Sequence, residues 1–231
     1  MALEGYARYA VYWAPEAGSA LWQAGSAWLG WDAETGQVPT RPAVALPGGL
    51  EADALTRRPR RYGFHGTLKP PFRLAEGCDV GELDAALRRL GARQPATALP
   101  SLVLDAALGF VALRPEAPSP ALAGLAGAAV TELDAFRAPL TEAEIARRRT
   151  RPLDPVEETN LSRWGYPHVL DRFRFHLTLT GPVGAEGDAV AAALRPLFAP
   201  HLDGQPLREI ALYGDPGVGA PFRLIHRYPL G

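Results

Sequence analysis

The chain predicts an α+β fold of two pseudo-symmetric lobes, with two antiparallel sheets flanked by helices around a central cleft. The pattern Phe-His-x-Thr-Leu occurs twice in strand-like surroundings, as FHGTL at 64–68 and FHLTL at 175–179. Each copy is followed by the same order of elements, a helix and then a strand pair, as duplication of a small αβ unit predicts. The lobes should divide near residue 118 within a single domain spanning 1–231, with strands free to exchange between them.

Taken in order, YARYAVYWAP (6–15) is rich in Tyr, Val and Trp and ends at Pro15, which predicts a strand. Leu21, Trp22, Trp28 and Leu29 within 19–32 predict a short helix. Residues 33–60, rich in Pro and Gly without a period, read as a long loop ending in TRRPRR (56–61). The first motif strand follows, stopped by Pro70 and Pro71, which cannot donate to a ladder. Asp79 and Glu82 form a capping box before a helix with Leu83, Leu87 and Leu90 on one face. The stretch 101–115 reads as two strands joined by a turn or as one bulged strand. Ser119 and Pro120 open a helix whose stripe is Leu122, Leu125, Ala129, Leu133 and Phe136. TEAEIARRR (141–149) is a second helix with a Thr-x-x-Glu box, and 150–171 reads as irregular and aromatic. After the second motif strand come a helix over 188–198 and two strands, 208–214 and 222–230, around a Gly/Pro-rich turn.

Composition narrows the function classes. A length of 231 residues can bury a sizeable core, and a formal net charge of −1 argues against a nucleic-acid-coating or polybasic membrane-binding protein. The single cysteine, Cys78, excludes an internal disulfide and reads as a small packing residue. No basic leader precedes an apolar run, and no stretch nears the roughly 20 apolar residues of a membrane span. The expectation is a cytoplasmic monomer. Of 24 basic residues only one, Lys69, is lysine, and it lies four positions after His65.

Alternation along a strand sends His65 and Thr67 to one face and Phe64, Gly66 and Leu68 to the other. The second copy sorts in the same way, with His176 and Thr178 opposite Phe175, Leu177 and Leu179. Two such faces lining one cleft could hold one imidazole as a base and another as an acid, since histidine titrates near pH ~6.5. Thr67 and Thr178 supply hydroxyls suited to phosphate oxygens. By the same parity Lys69 joins the first pair, and Arg174 and Thr180 join the second, so each strand carries a cation for a phosphate. Arg163, Trp164 and Tyr166, in a loop before the second motif, could stack on a base or sugar. Arg8 and Tyr12 share a face that could floor the cleft. The other histidines, His168, His201 and His226, lack ligand spacing to the motifs, so no metal and no cofactor is expected.

With two H-x-T-L strands, the chain resembles the 2H phosphoesterase superfamily, whose lobes set two such motifs across a cleft to act on cyclic or linear phosphodiesters. RYAVYWAP, GFHGTLKPPF, LSRWGYP and FRFHLTLTG are similar to the branch associated with phosphonate metabolism. The resemblance implies His65 and His176 as the acid/base pair and Thr67 and Thr178 as phosphate binders. It implies a small phosphorylated substrate, a nucleotide 2′,3′-cyclic or ribose cyclic phosphate, hydrolysed without a metal. Two further readings stand beside it. One is an RNA-end 2′,3′-cyclic phosphodiesterase or ligase, against which the near-neutral charge counts. The other is a non-catalytic nucleotide- or phosphate-binding module.

Overall fold

Strand β1, Arg8–Trp13, alternates between two cores, and that alternation organises the molecule. Tyr9, Val11 and Trp13 enter a large core with leucines of five helices. Ala10 and Tyr12 enter a smaller aromatic core with Trp22, Tyr213 and Phe222. The computed structural model describes residues 3–231. Its helices are α1 (Ala20–Leu29), α2 (Ala52–Arg60), α3 (Val80–Arg93), α4 (Pro120–Glu132), α5 (Glu142–Arg148), α6 (Pro155–Trp164) and α7 (Gly187–Phe198). The remaining strands are β2 (Gly66–Phe72), β3 (Thr97–Ala98), β4 (Leu102–Asp105), β5 (Phe110–Pro115), β6 (Leu177–Pro182), β7 (Pro206–Leu207), β8 (Glu209–Asp215) and β9 (Arg223–Pro229).

The architecture is α+β with antiparallel pairing throughout. Seven strands run in the order β4-β5-β6-β2-β1-β8-β9, and β3 and β7 form a separate two-stranded ribbon. The two motif strands, β2 and β6, are therefore neighbours at the centre of the large sheet. A single antiparallel pair, Gly66 with Leu177, joins them. Beyond it, β2 continues against β1, and β6 against β5. The sheet half containing β6 takes β4 and β5 from the first half of the chain, and the half containing β2 takes β8 and β9 from the second. No helix among the described residues is long and apolar enough to cross a membrane.

Several local expectations are corrected. The stretch 33–60 contains α2, whose Leu55, Thr56 and Pro59 are buried. Its three arginines and low apolar content hide the period that would reveal it. Residues 150–171 contain α6, opened by an Asp154/Glu157 capping box with Pro155 at its first turn and closed by Gly165 in the left-handed conformation. Arg163 and Trp164 thus end a helix rather than lie in a loop. β2 runs on through Pro70 and Pro71 to Phe72, which opposes Tyr9 across an irregular register. Of the two readings of 101–115, the pair of strands joined by a turn is the one observed, as β4 and β5.

Candidate active site

Each motif histidine sits one residue before its strand, where the backbone is free to turn the ring toward its own chain. His65 Nδ1 lies 2.9 Å from the carbonyl oxygen of Gly63, and His176 Nδ1 lies 2.8 Å from that of Arg174. A carbonyl can only accept, so both rings carry their proton on Nδ1 and present an unprotonated Nε2. The two copies therefore share a tautomer-fixing bond to the residue two positions back. His65 Nε2 is 3.2 Å from Thr67 Oγ1, whose hydroxyl can donate to it.

The bridge between Gly66 and Leu177 brings the copies together. In an antiparallel pair its flanking positions oppose one another, His65 against Thr178 and Thr67 against His176, with both side-chain pairs on one face. The remaining faces explain why the motif's third residue differs between copies. A Cβ at Gly66 would stand 2.3 Å from the ring of Phe175, which lies across β2 there. Phe175 also packs against Trp13, with ring centroids 5.8 Å apart. Phe64 is fully buried against Phe198, and its ring would lie 2.2 Å from a Cβ at Gly25 on α1. Each phenylalanine thus anchors its motif through a glycine's missing side chain.

Tyr12 lies beneath His65. The two rings stack with centroids 3.7 Å apart and an interplanar angle of 19°. Tyr62 and Tyr213 stand at 6.5 and 6.1 Å from the same imidazole. This aromatic bed strips water from His65, and burial pushes its pKa down to about 4, with a smaller contribution from repulsion by His176. Burial also lowers His176, and His168 adds repulsion. Both rings are neutral at pH 7 without a ligand.

The structure separates Lys69 from this face. The register slips by one residue between Tyr12 opposite Thr67 and Val11 opposite Lys69. That bulge breaks the alternation, so Lys69 pairs with a residue of the large core. Its side chain is 2% exposed, with Nζ 2.9 Å from the carbonyl oxygen of Val130 and 3.4 Å from Asp134. Burial lowers its pKa to about 8, opposed by the Asp134 carboxylate. The expected free cation beside Thr67 is a buried, paired one. Thr180 is also buried, its hydroxyl accepting from the Val111 amide at 2.9 Å where the β5–β6 register slips.

Arg174 is exposed, and its carbonyl orients His176. Arg163 is exposed and stacks on Trp164 at 4.7 Å. Trp164 and Tyr166 line a cavity with Lys69 and Arg148. Tyr166 reaches His168 edge-on at 5.6 Å, and its charge would act on Tyr12. Arg8 pairs with Asp215 at 2.6 Å and lies 5.8 Å over the ring of Phe222. Tyr62, Tyr213 and Phe222, which complete the bed around His65 and Tyr12, escape sequence reasoning. Only Tyr62, three residues before His65, carried a local signal. Among the described residues no group of three His, Cys, Asp or Glu side chains is placed to hold a metal ion.

Residues 67–223, well over half of the chain, match the family model described as "Protein of unknown function (DUF1045)". Among curated proteins, the chain is 44% identical to a protein of Laribacter hongkongensis (strain HLHK9) named ribose 1,5-bisphosphate phosphokinase PhnN. That match covers 94% of this chain and 50% of the relative. A protein of the same name from Janthinobacterium sp. (strain Marseille) is 37% identical over 98% of this chain and 51% of its own length. The chain thus spans about half the length of the curated relatives it matches. Among solved structures it is similar to E. coli LigT complexed with 3′-AMP, at 15% identity and a TM-score of 0.46. That likeness covers 97% of this chain and 98% of LigT. A solved phosphoesterase shows 13% identity and a TM-score of 0.46, over 96% of this chain and 98% of that one.

Proposed function

The chain belongs to the DUF1045 family, and we propose that it is a phosphodiesterase that opens a small cyclic phosphate ester by two-histidine acid–base catalysis. The observation that carries this reading is the β2–β6 bridge between Gly66 and Leu177, the residues between each histidine and its threonine, with both histidine Nδ1 atoms tied to carbonyls. One neutral Nε2 takes a proton from water as its oxygen attacks phosphorus. The other histidine, protonated when the phosphate anion binds, gives its proton to the departing ring oxygen. The product is a phosphate monoester with a free hydroxyl, and the proton count balances. With substrate bound, the Thr67 hydroxyl turns from His65 Nε2 and, with Thr178, donates to the non-bridging oxygens. Proton transfer and fixed donors handle the charge, so the reaction calls for no metal.

The environments of the two rings divide the roles. His65, pressed on Tyr12, is held more firmly in the neutral form and suits the base. His176 lies off that stack and suits the acid. The curated relatives are named for a ribose bisphosphate, which supports a ribose cyclic phosphate as substrate. No G-x-x-x-x-G-K-[ST] loop occurs in this chain, so its own residues do not supply a P-loop phosphokinase reaction.

The test is a panel of 2′,3′-cyclic nucleotides and ribose cyclic phosphates assayed in EDTA, on the native protein and on each single histidine variant. Turnover with a bell-shaped pH profile is expected, falling about 10²–10⁴-fold in His65→Ala or His176→Ala. Turnover that persists in the double variant, or that EDTA abolishes, sinks the proposal. Tight binding without turnover would instead mark a phosphate-binding module.

A further inference from the structure

One cation beside the site has no ion-pair partner among the described residues. Arg148, at the end of α5, lines a shallow open recess together with Lys69, Arg137, Trp164 and Tyr166. Asp134 pairs with both Lys69 and Arg137. Arg148 has no carboxylate within ion-pair distance among the described residues. Its Nη1 donates to the main-chain oxygen of Glu144 at 3.1 Å, and the Glu144 carboxylate is taken by Arg73. Its Nε is buried without a hydrogen-bond partner. A half-buried guanidinium with an unused donor is costly unless an anion completes it. Desolvation lowers its pKa accordingly.

The surroundings point the same way. Tyr166 lines the cavity, and its charge interactions reach Arg148, Tyr62 and Arg58. Arg58 is exposed, and its side chain makes no hydrogen bond or ion pair among the described residues. Arg8 stands close enough to Arg148 to repel it, and its guanidinium borders the aromatic bed through Phe222. Tyr62 and Tyr12, which touch that bed, also flank His65. Lys69 lies four residues along β2 from His65, about 13 Å by strand rise. The cavity is therefore separate from the histidine pair.

We propose that Arg148, with Arg58 near Tyr166, forms a second anion subsite, so that the substrate is a cyclic phosphodiester carrying a further phosphate monoester. The forked guanidinium donors match phosphate oxygens. This rests on the phosphodiesterase reading above and adds the substrate's second charge.

The test separates the two. Binding of adenosine 2′,3′-cyclic phosphate with and without a 5′-phosphate is measured by calorimetry on the His65→Ala, His176→Ala protein, which needs no turnover. The 5′-phosphorylated ligand should bind roughly 10- to 100-fold more tightly. That preference should shrink about tenfold or more in Arg148→Met, and persist in Arg88→Met, a control on α3. Should Arg148→Met not fold, the exposed Arg58→Met makes the same comparison with a smaller loss. Equal affinity for the two ligands, or a preference that survives both arginine changes, overturns the subsite whatever the turnover. Failure of the native protein to hydrolyse either cyclic phosphate sinks the catalytic reading alone, and the binding ratio still decides the subsite.

Discussion

Acidification should destabilise this fold through His65, and the size of the effect follows from where the ring sits. Its imidazole stacks on Tyr12 at 3.7 Å, and burial, with repulsion from His176, holds its pKa at about 4. In the unfolded chain the same ring protonates near pH ~6.5. Between those values the unfolded state binds a proton that the folded state refuses, so stability falls as pH falls through the window. Below about 4 both states are protonated and the loss is complete. Above 6.5 neither is, and the contribution vanishes. At about 1.4 kcal/mol per pKa unit, the separation amounts to a loss of about 3 kcal/mol. Urea unfolding of the native protein and of His65→Gln, in half-unit steps from pH 7.5 to 4, isolates the term, because the carboxylates titrate alike in both. The stability difference between the two proteins should move by about 3 kcal/mol in favour of His65→Gln on acidification. A difference that stays level across the window would refute the reasoning.

Other expectations follow from the same geometry. Because both imidazoles are neutral when empty at pH 7, binding of sulfate at pH 7 should take up protons, seen as a buffer-dependent calorimetric heat; buffer-independent heats would show that neither ring gains one. Gly66→Ala places a methyl 2.3 Å from the Phe175 ring and should cost about 1–3 kcal/mol in urea melts. It should also lower turnover through His176 next door; an unchanged melt and unchanged activity would count against the packing account. Lys69, held near 8 when folded, should make the protein more stable as pH rises from 8 to about 9.5, since the unfolded chain keeps that proton until higher pH. Lys69→Met should lose that rise, and a rise retained in the variant would assign it elsewhere.

Much of this was legible from local chemistry. Capping signals at Asp79, Ser119 and Thr141 each open the helix they announce, because a cap is satisfied within one turn. The two His-x-Thr patterns identified their strands for the same reason, since alternation is a property of a few consecutive residues. The case of α2 was different. Its apolar face is Leu55 and little else, and α2 packs over β6, a partner more than a hundred residues away. Lys69 shows the limit most clearly. Parity along FHGTLKP predicts it beside Thr67, and only the pairing with β1 introduces the bulge that turns it into the core.

The sequence by itself determined that two Phe-His-x-Thr-Leu strands exist, that phenylalanine and leucine face one way, and that histidine and threonine face the other. That follows from the period of an extended backbone, which no distant contact is needed to set. The tertiary structure decided that the two strands are direct neighbours, that Gly66 opposes Leu177, and that His65 rests on Tyr12. It also left Arg148 without a carboxylate beside an open cavity. Those outcomes depend on which strands pair and in what register, and pairing is settled by packing between residues far apart in the chain.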